Sequence, residues 1–350
     1  LVVARRIFDS ITPGWQQIGA VWLPLPHLLN ALPVQIDLLY RTGASAVAIS
    51  IASYAITTAA IAWIVRRITG SAPAAVAAAA VFALNPNVVY LQSTPMTEPL
   101  LLATTTVAVA MLIAASRYAG IAFALACLTR YEAWPVTASA LTAAGWVRWR
   151  AGEPSADAIR GIARIALYPA VAIVGFSIFS RVVIGEWFVS GGFFVPENKA
   201  LGDAWLAAKE IGWGAQVLSG PALTWIGGLG LLGAVAASGV ALSRARPRRQ
   251  WTADALIAIS PLAMAAIPWA AFYRGHPFRI RYMVPLMAVE AIGAGIAAGI
   301  VPRRATLAAA VALAAVGAYE LRPFDQAAPM VVEAQWDRPN RPERARVTAC

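Results

Sequence analysis

Ala44-Ser-Ala-Val-Ala-Ile-Ser-Ile-Ala-Ser-Tyr-Ala-Ile-Thr-Thr-Ala-Ala-Ile-Ala-Trp-Ile-Val65 runs without a charged side chain and is closed by Arg66-Arg67. A helix needs roughly 20 mostly apolar residues to cross the hydrocarbon core, so this run reads as a membrane span. Similar runs recur at 73–91, 99–116, 165–184, 221–243, 253–272, 284–300 and 305–320. Region 119–148 divides into two short apolar runs around Thr129-Arg-Tyr-Glu132, read as incomplete or tilted spans meeting near one surface. Pro73, Pro99, Pro221 and Pro285 stand near the starts of apolar runs, where a missing N–H costs least. The expected fold is all-α: a polytopic transmembrane helical bundle of about ten spans over residues 44–320.

The totals agree. Of 350 residues, 59% are hydrophobic and 13% charged, against ~25% charged in an ordinary soluble domain. A net charge of +11 invites a nucleic-acid reading. The basic residues, however, fall in short clusters between apolar runs and not along one face, so no nucleic-acid partner is expected. The bilayer is the expected partner. Two cysteines, Cys127 and Cys350, make neither a disulfide framework nor a metal site.

Arginine placement sets the expected orientation. Alternate connections carry 13 basic residues against Glu153, Asp157 and Asp254, whereas the other face has 15 basic residues and 14 acids. The first set is expected to be cytoplasmic. Residues 1–43 then form a first outer loop with short juxtamembrane helices, built on Ala4-Arg-Arg-Ile-Phe-Asp-Ser-Ile-Thr-Pro-Gly-Trp15 and Trp22-Leu-Pro-Leu-Pro-His-Leu-Leu-Asn30. Residues 321–350, rich in Arg, Pro and Glu, form an outer tail expected to be loosely ordered. The chain opens on Leu1 without a signal-peptide layout, and a preceding segment with a first membrane helix is expected.

Three outer loops crowd charge against the membrane. In Tyr90-Leu-Gln-Ser-Thr-Pro-Met-Thr-Glu-Pro99, Glu98 is either a favourable charge at a helix N-terminus or an acid facing a cleft. In Thr129-Arg-Tyr-Glu-Ala-Trp134, Arg130 and Glu132 either pair with each other or line a watery cavity, because ionised groups near lipid need one or the other. In Tyr273-Arg-Gly-His-Pro-Phe-Arg-Ile-Arg-Tyr282, Arg274, Arg279 and Arg281 offer planar forks suited to phosphate oxygens, or anchor lipid headgroups. His27 and His276 lack ligand spacing and are read as hydrogen-bonding interface residues, so no metal site is assigned. No P-loop, HExxH or GxSxG is present. Together these loops call for an anionic, membrane-borne substrate.

The chain resembles the GT-C glycosyltransferases, in the branch of the protein O-mannosyltransferases and the lipid A aminoarabinose transferase. The residues that carry the likeness are Ala4-Arg-Arg-Ile-Phe-Asp-Ser…Pro13-Gly, Trp22-Leu-Pro-Leu-Pro-His, Met96-Thr-Glu-Pro, Leu128-Thr-Arg-Tyr-Glu and Arg281-Tyr-Met-Val-Pro285. The resemblance implies transfer of a sugar, with inversion, from a polyprenyl-phosphate carrier to a protein, lipid or glycan acceptor outside the cytoplasm. It implies that Glu98 matches the acid of the second outer loop, near the acceptor or a metal. Arg279 and Arg281, with Arg274 and Tyr282 beside them, hold the lipid phosphate, and Arg130 and Glu132 lie at the cavity wall. No cofactor is required by the pattern, while the resemblance leaves room for a divalent metal. The general base of such enzymes lies several residues before the Ala-Arg pair, which here falls ahead of Leu1. Asp9 follows Ala4-Arg5 and is read as a structural or acceptor-positioning residue, and His27 is a further substrate-binding candidate. An arginine-to-lysine bias of 26 to 2 suggests a GC-rich bacterial source, hence a bacterial plasma membrane. The rival reading is a transporter or flippase for an anionic lipid or sugar, which would show broken helices and midplane charges.

Overall fold

The computed structural model describes residues 1–19, 21–187, 198–243 and 251–335, with 342 and 346. Among them there is helix and no strand. The expected arginine cluster at 244–249 and most of the tail beyond 335 lie outside the described residues.

Three short helices come first: α1 (Val2–Arg6), α2 (Pro24–Ala31) and α3 (Asp37–Thr42). They form a cap rather than a span. Leu25 N–H donates to Leu128 O at 2.9 Å, and Ser45 Oγ to Asn30 Oδ1 at 2.9 Å, which fastens the cap to the bundle. Gly43, at φ 72°, supplies the left-handed residue that turns the chain into α4 (Ala44–Thr69).

Helix α5 (Ala72–Ala83) meets α6 (Pro86–Gln92) at a bend of 67°. The expected single span 73–91 is therefore corrected to a broken pair. Pro86 cannot continue α5, and Asn85 caps α6 by accepting from the Asn87 and Val88 amides at 2.9 and 3.4 Å. Next come α7 (Glu98–Ile113), α8 (Ala119–Cys127) and α9 (Ala133–Arg150), with the turn 128–132 between the last two. Helix α10 (Ser155–Ile184) begins ten residues before the apolar run expected from sequence, because its first turns carry Asp157, Arg160 and Arg164.

The second half holds α11 (Ala204–Ser219), α12 (Pro221–Ser243), α13 (Trp251–Ala258), α14 (Ala266–Tyr273), α15 (Leu286–Gly299), α16 (Thr306–Glu320) and α17 (Pro329–Gln335). Among the described residues, five helical segments are long and apolar enough to cross a membrane by length and composition, or six if α5 and α6 count as one span, against the ten expected. Helices α7 and α16, at 16 and 15 residues, reach only about 22–24 Å at 1.5 Å per residue, short of a ~30 Å core. The protein is an integral membrane helical bundle. The tail is not wholly irregular: α17 packs on α6, where Met330 N–H donates to Asn87 Oδ1 at 3.0 Å.

Helix α15 is the axis of the bundle, contacting α4, α5, α12 and α16. Glycine makes this possible. A Cβ at Gly230 would stand 1.9 Å from Gly293 O, and one at Gly293 would stand 2.3 Å from Gly227 O, so α12 and α15 touch backbone to backbone. At the arginine-rich end, Arg67 Nε reaches Asp254 Oδ2 at 3.3 Å, joining α4 to α13. At the opposite end, Ser50 Oγ donates to Thr94 O at 2.8 Å, and Gly202 N–H to Tyr273 O at 2.8 Å. The complex loops grouped on one face by sequence thus bond to one another.

Candidate functional site

Glu98 opens α7, with Pro99 behind it, and its side chain is only 1% exposed. Facing it is Arg130, carried on the tight turn between α8 and α9. That turn is set by local contacts: Trp134 Nε1 donates to Cys127 O at 3.0 Å, and the Tyr131 ring stands edge-on to Trp134 at 5.1 Å. Its reversal aims Arg130 back at the start of α7.

The guanidinium serves three partners. Nη1 donates to Thr97 Oγ1 at 2.9 Å and Glu98 Oε1 at 3.2 Å, while Nη2 donates to Glu132 Oε1 at 2.7 Å. Nε adds bonds of 3.2 and 3.3 Å to the two Glu132 oxygens. Burial alone would lower the Arg130 pKa; the charges of Glu132 and Glu98, the Glu132 hydrogen bond and the nearby Tyr282 phenol reverse this and raise it above the usual arginine value. The cluster therefore carries one cation and two carboxylates. Glu98 Oε2 is buried and has no hydrogen-bond partner.

Tyr282 brings the third outer loop to this cluster. The turn Ile280–Met283 leads into α15, and Arg281 sits with its Cζ 5.5 Å from the Tyr282 ring centroid. Arg281 Nε is also buried without a partner. The His276 ring lies 5.5 Å from Tyr282, and Phe272 lies 6.5 Å away on the other helix. Pro99 and Val284 line one small cavity of ≈10 Å³ with Tyr54, Phe82 and Leu102, which is room for about one water.

Of the residues singled out from sequence, Glu98, Arg130 and Glu132 are in contact, and Tyr282 lies within electrostatic reach of them. Arg274 and Arg279 are exposed and enter no ion pair among the described residues. Asp9 belongs to a separate cluster in the cap. Arg5 bonds Asp9 Oδ2 at 2.8 Å and Asp37 Oδ1 at 2.5 Å, with its Cζ 4.7 Å from the Tyr40 ring centroid. Asp37 is pulled below the usual carboxylate value by its hydrogen bond and charge contact with Arg5. These residues line an open groove of ≈330 Å³ with Arg6 and Arg41. His27 is partly buried on α2, and burial lowers its pKa to about 4.

Sequence reasoning missed Thr97 and Asp37 as arginine partners. It also missed Asn85 and Asn87, whose side-chain amides both donate to Leu218 O, at 3.0 and 2.9 Å. The Asn-Pro-Asn sequence inside an apolar run was the signal available. Among the described residues, no group of three or more His, Cys, Asp or Glu converges to hold a metal ion. Comparison with family models, with curated proteins and with solved structures yields no match to this chain.

Proposed function

We propose that this protein is a membrane glycosyltransferase of the GT-C type, which moves a sugar from a polyprenyl-phosphate carrier to an acceptor on the non-cytoplasmic face of a bacterial plasma membrane. The observation that carries the reading is a matched pair of unsatisfied buried groups at one end of the bundle. Glu98 Oε2 is an acceptor without a donor, and Arg281 Nε is a donor without an acceptor. Buried polar groups left unpaired in a protein are costly, and a ligand that pairs with them recovers that cost.

In this reading Arg281, helped by Arg279 and Arg274 as the loop closes, binds the phosphate and stabilises its growing charge as the glycosidic bond breaks. Glu98, oriented by Arg130 and Glu132, accepts a hydrogen bond from the acceptor hydroxyl and aligns it with the anomeric carbon. Asp9 and His27 in the cap shape the acceptor side.

The test uses full-length protein in proteoliposomes with labelled polyprenyl-phosphate hexose and cell-envelope acceptors. Release of polyprenyl phosphate with a new glycosidic bond is expected, falling at least ~100-fold in Arg281→Ala and Glu98→Gln. One observation favours a transporter instead: α5–α6 is a broken helix, of the kind that lines transport sites. Labelled lipid or sugar crossing sealed vesicles with no new bond would establish that alternative and overturn the transferase reading.

A further inference from the structure

A second pair of carboxylates lies in the bundle beyond the cluster around Arg130. Glu290 sits on α15 and is 7% exposed. Its Oε2 accepts from Thr224 Oγ1 at 3.1 Å, while Oε1 is buried with no partner. Gly227 of α12 lies against it, so close that a Cβ there would meet Glu290 Cγ at 2.7 Å. Glu320, at the end of α16, stands within electrostatic reach. It is held differently, accepting from the Ala222 and Leu223 amides at 2.8 Å each, at the first turn of α12.

Among the described residues neither acid bonds to a cation, the nearest in sequence being the exposed Arg322 just past α16. Helix α15 packs chiefly against α4, α5, α11, α12, α16 and the 260–265 turn. Helices α5 and α12 and that turn carry no ionisable side chain. Helix α4 contributes Tyr54 and, at its far end, Arg66 and Arg67, the latter engaged with Asp254. Helix α11 contributes Lys209 and Glu210, about two to three turns before Ser219. Helix α16 contributes Tyr319 and Glu320 itself.

A carboxylate buried in a membrane interior does not stay ionised without a counter-charge. Two amide donors at the first turn of α12 satisfy both oxygens of Glu320. Glu290 has the Thr224 hydroxyl on Oε2, the Ser219 hydroxyl close by, and a bare Oε1. We propose that Glu290 is a proton-binding site built into the membrane bundle, with the proton on Oε1. The proposal is independent of the transferase reading. Loss of that proton would place an uncompensated charge between α12, α15 and α16, so the site ties the packing of these helices to proton supply.

The experiment is infrared difference spectroscopy of the full chain in proteoliposomes at neutral pH. Subtracting Glu290→Gln from the unaltered protein is expected to reveal one carboxylic-acid C=O band lost in the variant. Loss of carboxylate bands instead would overturn the proposal. So would a band that disappears on adding sodium ions, which would make the group an ionised cation ligand. A second variant keeps the test independent of Glu290→Gln folding. Glu320→Gln retains an oxygen acceptor for α12 but removes the neighbouring charge. The C=O band should then vanish at lower pH than in the unaltered protein. An unmoved or upward-moved transition would refute the coupling.

Discussion

Replacing Arg130 with glutamine removes the one cation from a cluster that holds two carboxylates. The nearest charged contacts are 3.2 Å to Glu98 and 2.7 Å to Glu132, with side-chain exposures of 15% for the arginine and 1% and 7% for the acids. At an effective dielectric of about 20, these distances correspond to gross attractions of roughly 5 and 6 kcal/mol. Desolvation of all three groups offsets most of that. What the substitution measures is the cost of stranding two buried acids, about 3–5 kcal/mol when one partner of a buried pair is removed. Arg130→Gln should therefore lose about that much stability in equilibrium unfolding in mixed micelles, with Trp134 fluorescence as the local reporter. The triple variant Arg130→Gln, Glu98→Gln, Glu132→Gln replaces charges by amides of similar shape and should recover to within about 1–2 kcal/mol of the original. A single variant costing less than about 1 kcal/mol would show that solvent already screens the cluster. A triple variant as damaged as the single one would show that the arginine acts by packing and not by charge. Either result would refute the electrostatic account.

Glu98→Gln leaves Arg130 and Glu132 as a neutral pair, so stability should change by less than about 1 kcal/mol while sugar transfer is lost; a parallel loss of both would make Glu98 a structural residue. His27, with its pKa lowered to about 4 by burial against an ordinary 6.5, binds fewer protons folded than unfolded between those values. Stability of the cap is therefore full above about pH 6.5 and falls as the pH drops, by about 2 kcal/mol at pH 5, read as faster amide exchange in α2 and abolished in His27→Gln. Gly230→Ala drives a methyl into a backbone carbonyl that cannot rotate away and should cost about 3 kcal/mol, whereas Gly228→Ala, with nothing within 4 Å, should be near neutral.

The parts of the fold that sequence revealed are those governed by composition. Uninterrupted apolar runs such as 44–65 and 221–243 became α4 and α12, and the charged interruption at 129–132 became the turn between α8 and α9. The break between α5 and α6 was averaged away, since one Asn-Pro step hardly changes the hydropathy of a window of about 19 residues. Helix α10 outran its apolar segment because a helix can continue past the bilayer boundary once its side chains turn polar. The site was legible as a set of loops and not as a set of contacts. Arg130 with Glu132 is a local pairing, two residues apart, and was foreseen as one option. Arg130 with Thr97 and Glu98, or Arg5 with Asp37, depends on chain reversals of about 32 residues that no local pattern encodes.

The two acidic pairs show why the position of a cation matters more than the number of charges. Glu98 and Glu132 share Arg130, so their oxygens are fixed in direction beside the cap, where Leu128 O receives the Leu25 amide. That arrangement suits a polar ligand entering between cap and bundle, because the fixed charges need no rearrangement when it arrives. Glu290 and Glu320 share only the first turn of α12, which satisfies Glu320 and leaves Glu290 to a hydroxyl. With no ammonium or guanidinium to fix it, the second pair responds to protons. A basic group opposite Glu290 would freeze the α12–α15–α16 contact, and removing the guanidinium at residue 130 would leave two buried acids without their shared donor.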